Sequence, residues 1–566
     1  MKHLQLKAVL SEFKLFFGAR KGRVGLGILG IQGVPLLEFA LVSTIYGMID
    51  PAKLNRLLSF LGFAQFDSGP IRMALFAIGN CILVFYIVLK YFHDLNLILL
   101  KEDLHAEYSH RLIDSYLNVD LPTAQKVGRD RISTSVINDG DALGALMLHF
   151  SSLAAGVIAL LLYAIGAGAA SWKVLLSAGV LALLPLWVNR KFTPLYAQLG
   201  KKKLAFQERT LGFFTDMALG FARTKTDALE LELGSRSKTV LKQGRDYRIG
   251  KRRAQSTVAN LTTGISFLGV LCTVYLGLAV FDVSVPTIMI LFVMFARMRV
   301  SVAQIGENFL LITEYLPNAN RMIDLVHLME SQSIVGRPES ALPKISELEF
   351  SHVKFGYSPD VPVLKDVSFH FRAGDQVWLK GESGQGKSTL FSILTGLLRP
   401  TGGDIRMNGS PLHPSDQLRL RDQVTLVSPT VYLFNTTLRD NLLVGVPAER
   451  HRKLDEALSR SGLAEVVAQM PEGLETQIRR DGENVSLGQR QRIILARMFL
   501  RDASVILLDE ATANLDRDLE EKVLEQVRQI VGTQAILIVI SHKRPPVLQF
   551  TQCLELRDGE VVPLKE

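Results

Sequence analysis

Six long apolar stretches crowd into the first 316 residues of this chain, at 24–49, 71–92, 143–170, 172–188, 261–281 and 285–312. About 20 apolar residues in helical form cross the hydrocarbon core of a bilayer. In that core every backbone N–H and C=O needs a partner within the segment, which leaves a helix as the form such stretches take. The fourth, WKVLLSAGVLALLPLWV, is short and must extend towards Asn189. One such stretch alone could be a buried core helix. Six in one half of a chain describe a polytopic helical membrane domain.

The remainder reads differently. Hydrophobic residues make up 48% of the 566, and the excess lies before residue 316. Beyond the polar segment ESQSIVGRPESALPKI, strands and helices alternate: LEFSHVKF, VLKDVSFHF and DQVWLK are strand-like, and the last leads through a glycine-rich turn into a helix. That alternation implies an α/β domain. The expected organisation is therefore an amphipathic N-terminal helix over 1–23, a transmembrane domain over 24–330, a linker over 331–345 and the α/β domain over 346–566.

Charge sets the orientation. The net charge of +9 would suit a nucleic-acid binder. In a chain with long apolar spans, basic residues mark cytoplasmic loops instead, so no nucleic-acid partner is expected. Lys and Arg crowd residues 1–23, 90–131 and 190–253, whereas the short connections GAGAAS and FDVS carry none. The positive-inside rule then puts both termini and the two long connections in the cytoplasm, as expected for a multi-pass protein of the inner (plasma) membrane. Those connections are long enough for the spanning helices to continue past the bilayer and turn near 120–125 and 215–225. The opening segment mixes Leu4, Leu6, Leu10, Phe13, Phe16 and Phe17 with Lys2, Lys7, Lys14 and Arg20. That is the pattern of a helix lying on the membrane surface rather than of a cleavable leader. Cys81, Cys272 and Cys553 show no paired spacing, so neither a disulfide framework nor a metal site is expected.

The α/β half carries the chemistry. Gly381-Glu-Ser383-Gly384-Gln385-Gly386-Lys387-Ser388, followed by Thr389, matches G-x-x-x-x-G-K-[ST] between a strand and a helix. Its glycines let successive N–H groups turn towards phosphate oxygens at a positive helix N-terminus. Lys387 would reach the terminal phosphates of ATP, and Ser388 would ligate Mg²⁺. About 120 residues on, the apolar run Val-Ile-Leu-Leu ends in Asp509 and Glu510. Asp509 suits metal coordination, and Glu510 suits the general base that polarises attacking water.

Between these motifs lies NVSLGQRQR, in which Val485-Ser486-Leu487-Gly488-Gln489 resembles the L-S-G-G-Q signature of ABC ATPases. The whole chain is similar to the ABC exporter family with six membrane helices per half-transporter. That resemblance implies a dimer in which Ser486, Leu487, Gly488 and Gln489 of one copy close over the nucleotide of the other. It further implies that Tyr357 stacks on adenine, that Asp516 lies at the subunit interface, and that His542, after the apolar strand AILIVI, contacts the γ-phosphate. Two positions depart from the family pattern. Pro429 stands where a glutamine normally binds Mg²⁺ and water, and Arg479-Arg480-Asp481 replaces the usual Gly-Glu-Arg before the signature. Both fall where the ATPase would touch the membrane domain, which raises altered coupling and keeps a heterodimer open beside the homodimer. Leu487 also replaces a glycine.

Ionisable residues inside lipid-spanning helices tend to face a cavity. Glu38, Arg297, Arg299 and Glu307 are the candidates for a substrate cavity. The two arginines lie 11 and 13 residues past Pro286, roughly 17–20 Å along a helix. They either attract an anionic group or pair with Glu38 or Glu307. The resemblance implies ATP-driven alternating access, usually outward, on lipids, peptides, siderophores or drug-like amphiphiles. A lipid-linked flippase or siderophore importer shares the architecture. An ATP-gated channel or regulatory receptor, and an ABC ATPase acting on DNA or ribosomes, are the alternatives from other classes.

Overall fold

The computed structural model describes residues 2–49, 68–333, 343–358, 361–382, 384–412, 417–428, 432–479, 482–512, 514–532, 534–541 and 543–564. They fall into two compact units, one of residues 1–119 and 124–333, the other of 120–123 and 334–566.

The first unit is helical. α1 (Lys2–Ala19) precedes six long helices: α2 (Lys21–Ile49), α3 (Ser68–Leu117), α4 (Gly140–Ala170), α5 (Trp172–Leu219), α6 (Glu230–Ala279) and α7 (Val285–Gln332). Each contains one of the six apolar stretches. Four are 48 to 50 residues long, more than twice what a bilayer needs, so they run on well past it. Among the described residues, five helical segments are long and apolar enough to cross a membrane, within 21–45, 72–117, 131–170, 230–279 and 287–332. The connections turn where their composition predicts, through short helices at Leu121–Val127, Arg129–Thr134 and Phe221–Thr226.

Many large apolar side chains on these helices face outwards, among them Phe76, Phe85, Leu161, Leu268 and Leu271. A surface of that kind belongs in lipid. Inside, α1 seals the end of the bundle with Val9, Phe13 and Phe16, which pack among Leu100, Leu104, Met322 and Val326. The buried carboxylate of Glu12 accepts a hydrogen bond from Tyr108 and lies 3.1 Å from His327.

A five-residue π-helical turn, Ser135–Asp139, leads into α4. Its last residue, Asp139, is wholly buried. Arg321 on α7 donates to it through Nε at 2.7 Å and Nη2 at 2.8 Å, with Asn318 at 3.1 Å and Ser135 at 2.8 Å completing its shell.

The second unit is built on a sheet. Its strands are β1 (Glu347–Ser358), β2 (Val361–Arg372), β3 (Gln376–Lys380), β4 (Gly402–Met407) and β5 (Ser410–Pro411), then β6 (Val424–Val427), β7 (Val505–Asp509), β8 (Ile536–Ile540), β9 (Gln552–Arg557) and β10 (Glu560–Pro563). Their order is β5-β4-β1-β2-β10-β9-β3-β8-β7-β6. The β9-β3-β8-β7-β6 stretch is parallel, and the β5-β4-β1-β2 edge is antiparallel. Parallel strands lie buried on both faces, which is why ILIVI of β8 is apolar and buried at every position. In an open sheet of this kind, ligands gather at the carboxyl ends of the parallel strands.

Candidate active site

Two neighbouring parallel strands, β3 and β8, and the next one along, β7, end at the motifs read from the sequence. After β3 the chain runs through the phosphate loop into α8 (Lys387–Leu394). Gly386 caps that helix at φ +99°, in left-handed backbone that a side chain rarely adopts. A Cβ there would also meet Val363 and Leu364 at 3.0–3.1 Å. Gly384 at φ +87° is exposed, with open space around it. Lys387 Nζ donates to the carbonyls of Gly381 and, at 3.2 Å, Glu382. The lysine thus folds back along its own loop, holding a cradle of N–H groups with a cation at its rim. Such a cradle fits a polyphosphate. Gln385 is tied down by accepting from the Asp558 amide at 2.9 Å. Ser388 is exposed and Thr389 buried, the latter 3.3 Å from the Tyr357 hydroxyl. The Tyr357 side chain is itself 63% exposed, which leaves it open to a flat partner.

β7 delivers Asp509 and then Glu510. Burial, followed by the neighbouring Glu510 charge, raises the Asp509 carboxyl above its ordinary value, and Lys387 opposes the shift. Glu510 sits at φ +48°, strained backbone for a non-glycine residue. Its amide is held by the Ile540 carbonyl at 3.0 Å, and its carbonyl accepts from Gln491 Nε2 at 3.3 Å. The described residues contain no group of three or more His, Cys, Asp or Glu arranged for a metal. A hydroxyl (Ser388) and a carboxylate (Asp509) fit Mg²⁺, which takes one or two protein ligands and completes its shell with phosphate and water.

The signature forms the start of α10 (Leu487–Leu500), and α9 (Leu438–Leu443) lies earlier in the same unit. Ser486 is the N-cap in a full capping box. Its Oγ accepts from the Gln489 amide at 3.2 Å, and Gln489 Oε1 accepts from the Ser486 amide at 2.9 Å. Leu487 points outwards at 51% exposure, so its branch does not fill the helix entry. A Cβ on Gly488 would come 3.3 Å from the Asn514 carbonyl, a close approach that keeps this position small. Asp516 caps α11 (Arg517–Val531) by accepting from the Leu519 amide at 3.0 Å, and its side chain remains largely exposed.

Two residues were not singled out from the sequence. Gln491 is 3% exposed; it donates to the Glu510 carbonyl and accepts from the Asn514 amide at 3.2 Å. It fastens the signature helix to both acidic-loop positions. A glutamine on the buried face of an otherwise apolar helix is the signal that would have found it. Arg497 is the second: it reaches Asn441 O at 2.5 Å and Asn441 Oδ1 at 2.9 Å, and burial, then Arg501, pulls its pKa down to about 10.

Ser383, Pro429, Arg480, Asp481 and His542 lie outside the described residues. In the helical unit, Arg297 Nη1 donates to Glu38, so the two ionisable residues form a pair. Arg299 lies 4.6 Å from the Phe267 ring centroid instead. Glu307 faces a separate cavity of about 450 Å³ with Tyr196, Arg252 and Thr262. The structure therefore joins two of the four cavity candidates and separates the other two.

Fold and site together define a P-loop ATPase joined to a polytopic helical domain. Residues 364–513 match the ABC transporter family model. The chain is 37% identical over 228 residues to an ATP-dependent lipid A-core flippase of Burkholderia orbicola, covering 40% of this chain and 38% of that protein. It is 32% identical over 253 residues to a flippase of the same name from Syntrophus aciditrophicus, covering 44% and 41%. The matched stretch spans about two-fifths of the length of these curated relatives. Across the whole architecture, the structure is similar to a bacterial Atm1-family ABC exporter with ATP bound, with a TM-score of 0.80 at 20% identity, covering 96% of this chain and 94% of that one. The chain shares the fold of that structure, a helical domain with apolar helices of membrane-spanning length followed by a sheet-containing domain that matches the ABC transporter family model.

Proposed function

We propose that two copies of this chain form an ATP-driven transporter that moves an amphipathic, lipid-like substrate across the inner membrane, outwards. The observation that supports this most is the exposed signature start at Ser486 beside Gly488, a capped helix N-terminus with positive potential and no phosphate partner in its own sequence motif. The phosphate loop of one copy supplies one wall of the nucleotide site and Ser486 to Gln489 of the other copy supply the second. A homodimer then carries two equivalent sites, with Asp516 near the interface.

Within each site, Gly384, Gly386 and Lys387 hold the phosphates and Tyr357 meets the adenine. Mg²⁺ bound at Ser388 and Asp509 would supply charge neutralisation on the phosphates. Glu510 orients and deprotonates the attacking water, and His542 acts on the γ-phosphate. Closure of the two ATPase domains, relayed through the cytoplasmic helix extensions, alternates the membrane helices between faces. The basic residues of the long connections support a topology with both termini in the cytoplasm. The flippase names among the relatives favour a lipid-like cargo. Glu38, Arg297, Arg299 and Glu307 are the residues of the membrane domain offered for cargo contact. Reconstitution in liposomes with lipid A-type and phospholipid cargo tests the assignment. Cargo-stimulated ATPase that vanishes in Glu510→Gln supports it, and cargo movement that persists in Glu510→Gln at the full rate rejects it.

A further inference from the structure

A groove of about 500 Å³ opens where α1 crosses α2, α3 and α4. Its floor is aromatic: Phe13 packs edge-on to Phe150, with centroids 6.1 Å apart, and lies 5.9 Å from Phe17. Ile31 and Leu97 extend the apolar lining. Among the described residues two polar side chains line it, Lys14 and Ser151.

Both are chemically unspent. Ser151 is 7% exposed, and its hydroxyl is buried without a hydrogen-bond partner. Several helical hydroxyls in this unit bond back to their own helix, as Ser266 does to Thr262 O at 2.6 Å and Thr273 to Gly269 O at 2.7 Å. A buried hydroxyl that forgoes this bond has a cost that a ligand oxygen would remove. Near the same end of the bundle, Arg20 pairs with Glu107 at 2.7 Å and Arg23 with Asp103. Lys14 is exposed and makes no ion pair among the described residues. Arg20 and Arg23 are thus neutralised by α3, whereas the Lys14 charge at the rim of the groove is open to an anion outside the protein.

We propose that this groove binds one anionic glycerophospholipid from the surrounding bilayer. An acyl chain lies on the Phe13–Phe150 floor, an ester carbonyl accepts from the Ser151 hydroxyl, and the headgroup phosphate pairs with Lys14. The groove is lined by a surface-lying amphipathic helix and by helices of membrane-spanning composition, so its mouth faces acyl chains and its rim the headgroups. The bound lipid bridges α1 to α4 and steadies the N-terminal helix on the bundle. The site stands apart from nucleotide turnover and from the Glu38–Arg297 pair.

The test is photolabelling of the full-length protein in nanodiscs with phosphatidylglycerol carrying a diazirine in one acyl chain. The control is phosphatidylcholine with the same label. Label should fall on peptides containing residues 10–17 and 147–154. Phosphatidylglycerol should exceed phosphatidylcholine by about fivefold, the effect of one basic side chain near an anionic surface. Ala154→Phe fills the groove from its lipid-exposed side and should remove most of the label, as should Ser151→Leu. Lys14→Gln should equalise the two headgroups, whereas Lys21→Gln, at the exposed start of α2, should not. Melting curves of each variant establish that the bundle is intact. Equal labelling of wild type by both lipids overturns the proposal, and so does label that persists in the two filled variants. Because the readout is occupancy rather than ATPase, it fails or holds independently of the transport assignment.

Discussion

Glu510 is the residue that the proposed mechanism makes the general base. Its strained φ of +48° and its two backbone anchors, to Ile540 and Gln491, hold the carboxylate at the end of β7. Loss of a positioned general base costs roughly 10²–10⁴ in rate. Glu510→Gln should therefore lose that much ATPase turnover while binding ATP as before, measured by steady-state phosphate release and nucleotide binding. Gln491→Leu should lower turnover without abolishing it, because it frees the base's loop and leaves the base in place. Asp509 makes a prediction of opposite sign. Its carboxyl is raised by burial and by Glu510, so the folded state favours the protonated form. The stability this contributes is present below the ordinary aspartate pKa and is lost as pH rises through the raised value. The same burial and the Glu510 charge disfavour the ionised carboxylate in the folded protein. Asp509→Asn should then raise the melting temperature at pH 7 without nucleotide, lose the further rise that Mg·ATP gives wild type, and show a smaller gain as pH falls. Pro429→Gln belongs at this scale too: if the proline alters coupling, basal and cargo-stimulated ATPase rates should move relative to one another, and unchanged rates remove that reading. The phosphate loop and acidic pair were legible because each is contiguous and its chemistry demands fixed residue types at fixed spacing. Gln491 and Arg497 were not, since their roles depend on loops far away in sequence.

At the scale of elements, the six apolar stretches identified the helices and the long connections their continuation past the apolar spans, but not the contacts those extensions make. The extensions of α3, α5, α6 and α7 beyond their apolar stretches are richer in polar residues, and their partners come from distant segments. Lys251 on α6, for instance, meets the buried Glu314 on α7 at 2.5 Å. The π-helical turn at Ser135–Asp139 was equally hidden, because an inserted residue leaves no periodic trace. Asp139 and Arg321 show what that turn achieves: it aims a fully buried carboxylate at a bidentate arginine on α7. Removing one partner of a buried pair costs about 3–5 kcal/mol, whereas replacing both with apolar residues of similar volume is far milder. Asp139→Ala should thus lower the unfolding temperature sharply, and Asp139→Leu with Arg321→Met should recover most of the loss in a thermal melt. In the ATPase unit, Ser486→Ala removes a helix cap worth about 1 kcal/mol, which a melt of the nucleotide-free protein would register.

For the whole molecule, the charge pattern and the strand–helix alternation separated a membrane half from an ATPase half, and the two units of the fold divide the chain close to residue 333. The sequence left the internal arrangement of the membrane half open: Glu38 and Arg297 prove to be a pair, while Arg299 and Glu307 go elsewhere. The central claim concerns two copies, because each nucleotide site is completed by the signature of the other chain. Nanodiscs loaded with one copy or with two, separated by size and assayed for ATP hydrolysis at saturating Mg·ATP, test it most directly. The account predicts turnover in two-copy discs and only a residual rate in one-copy discs. Equal turnover per chain in both would contradict it.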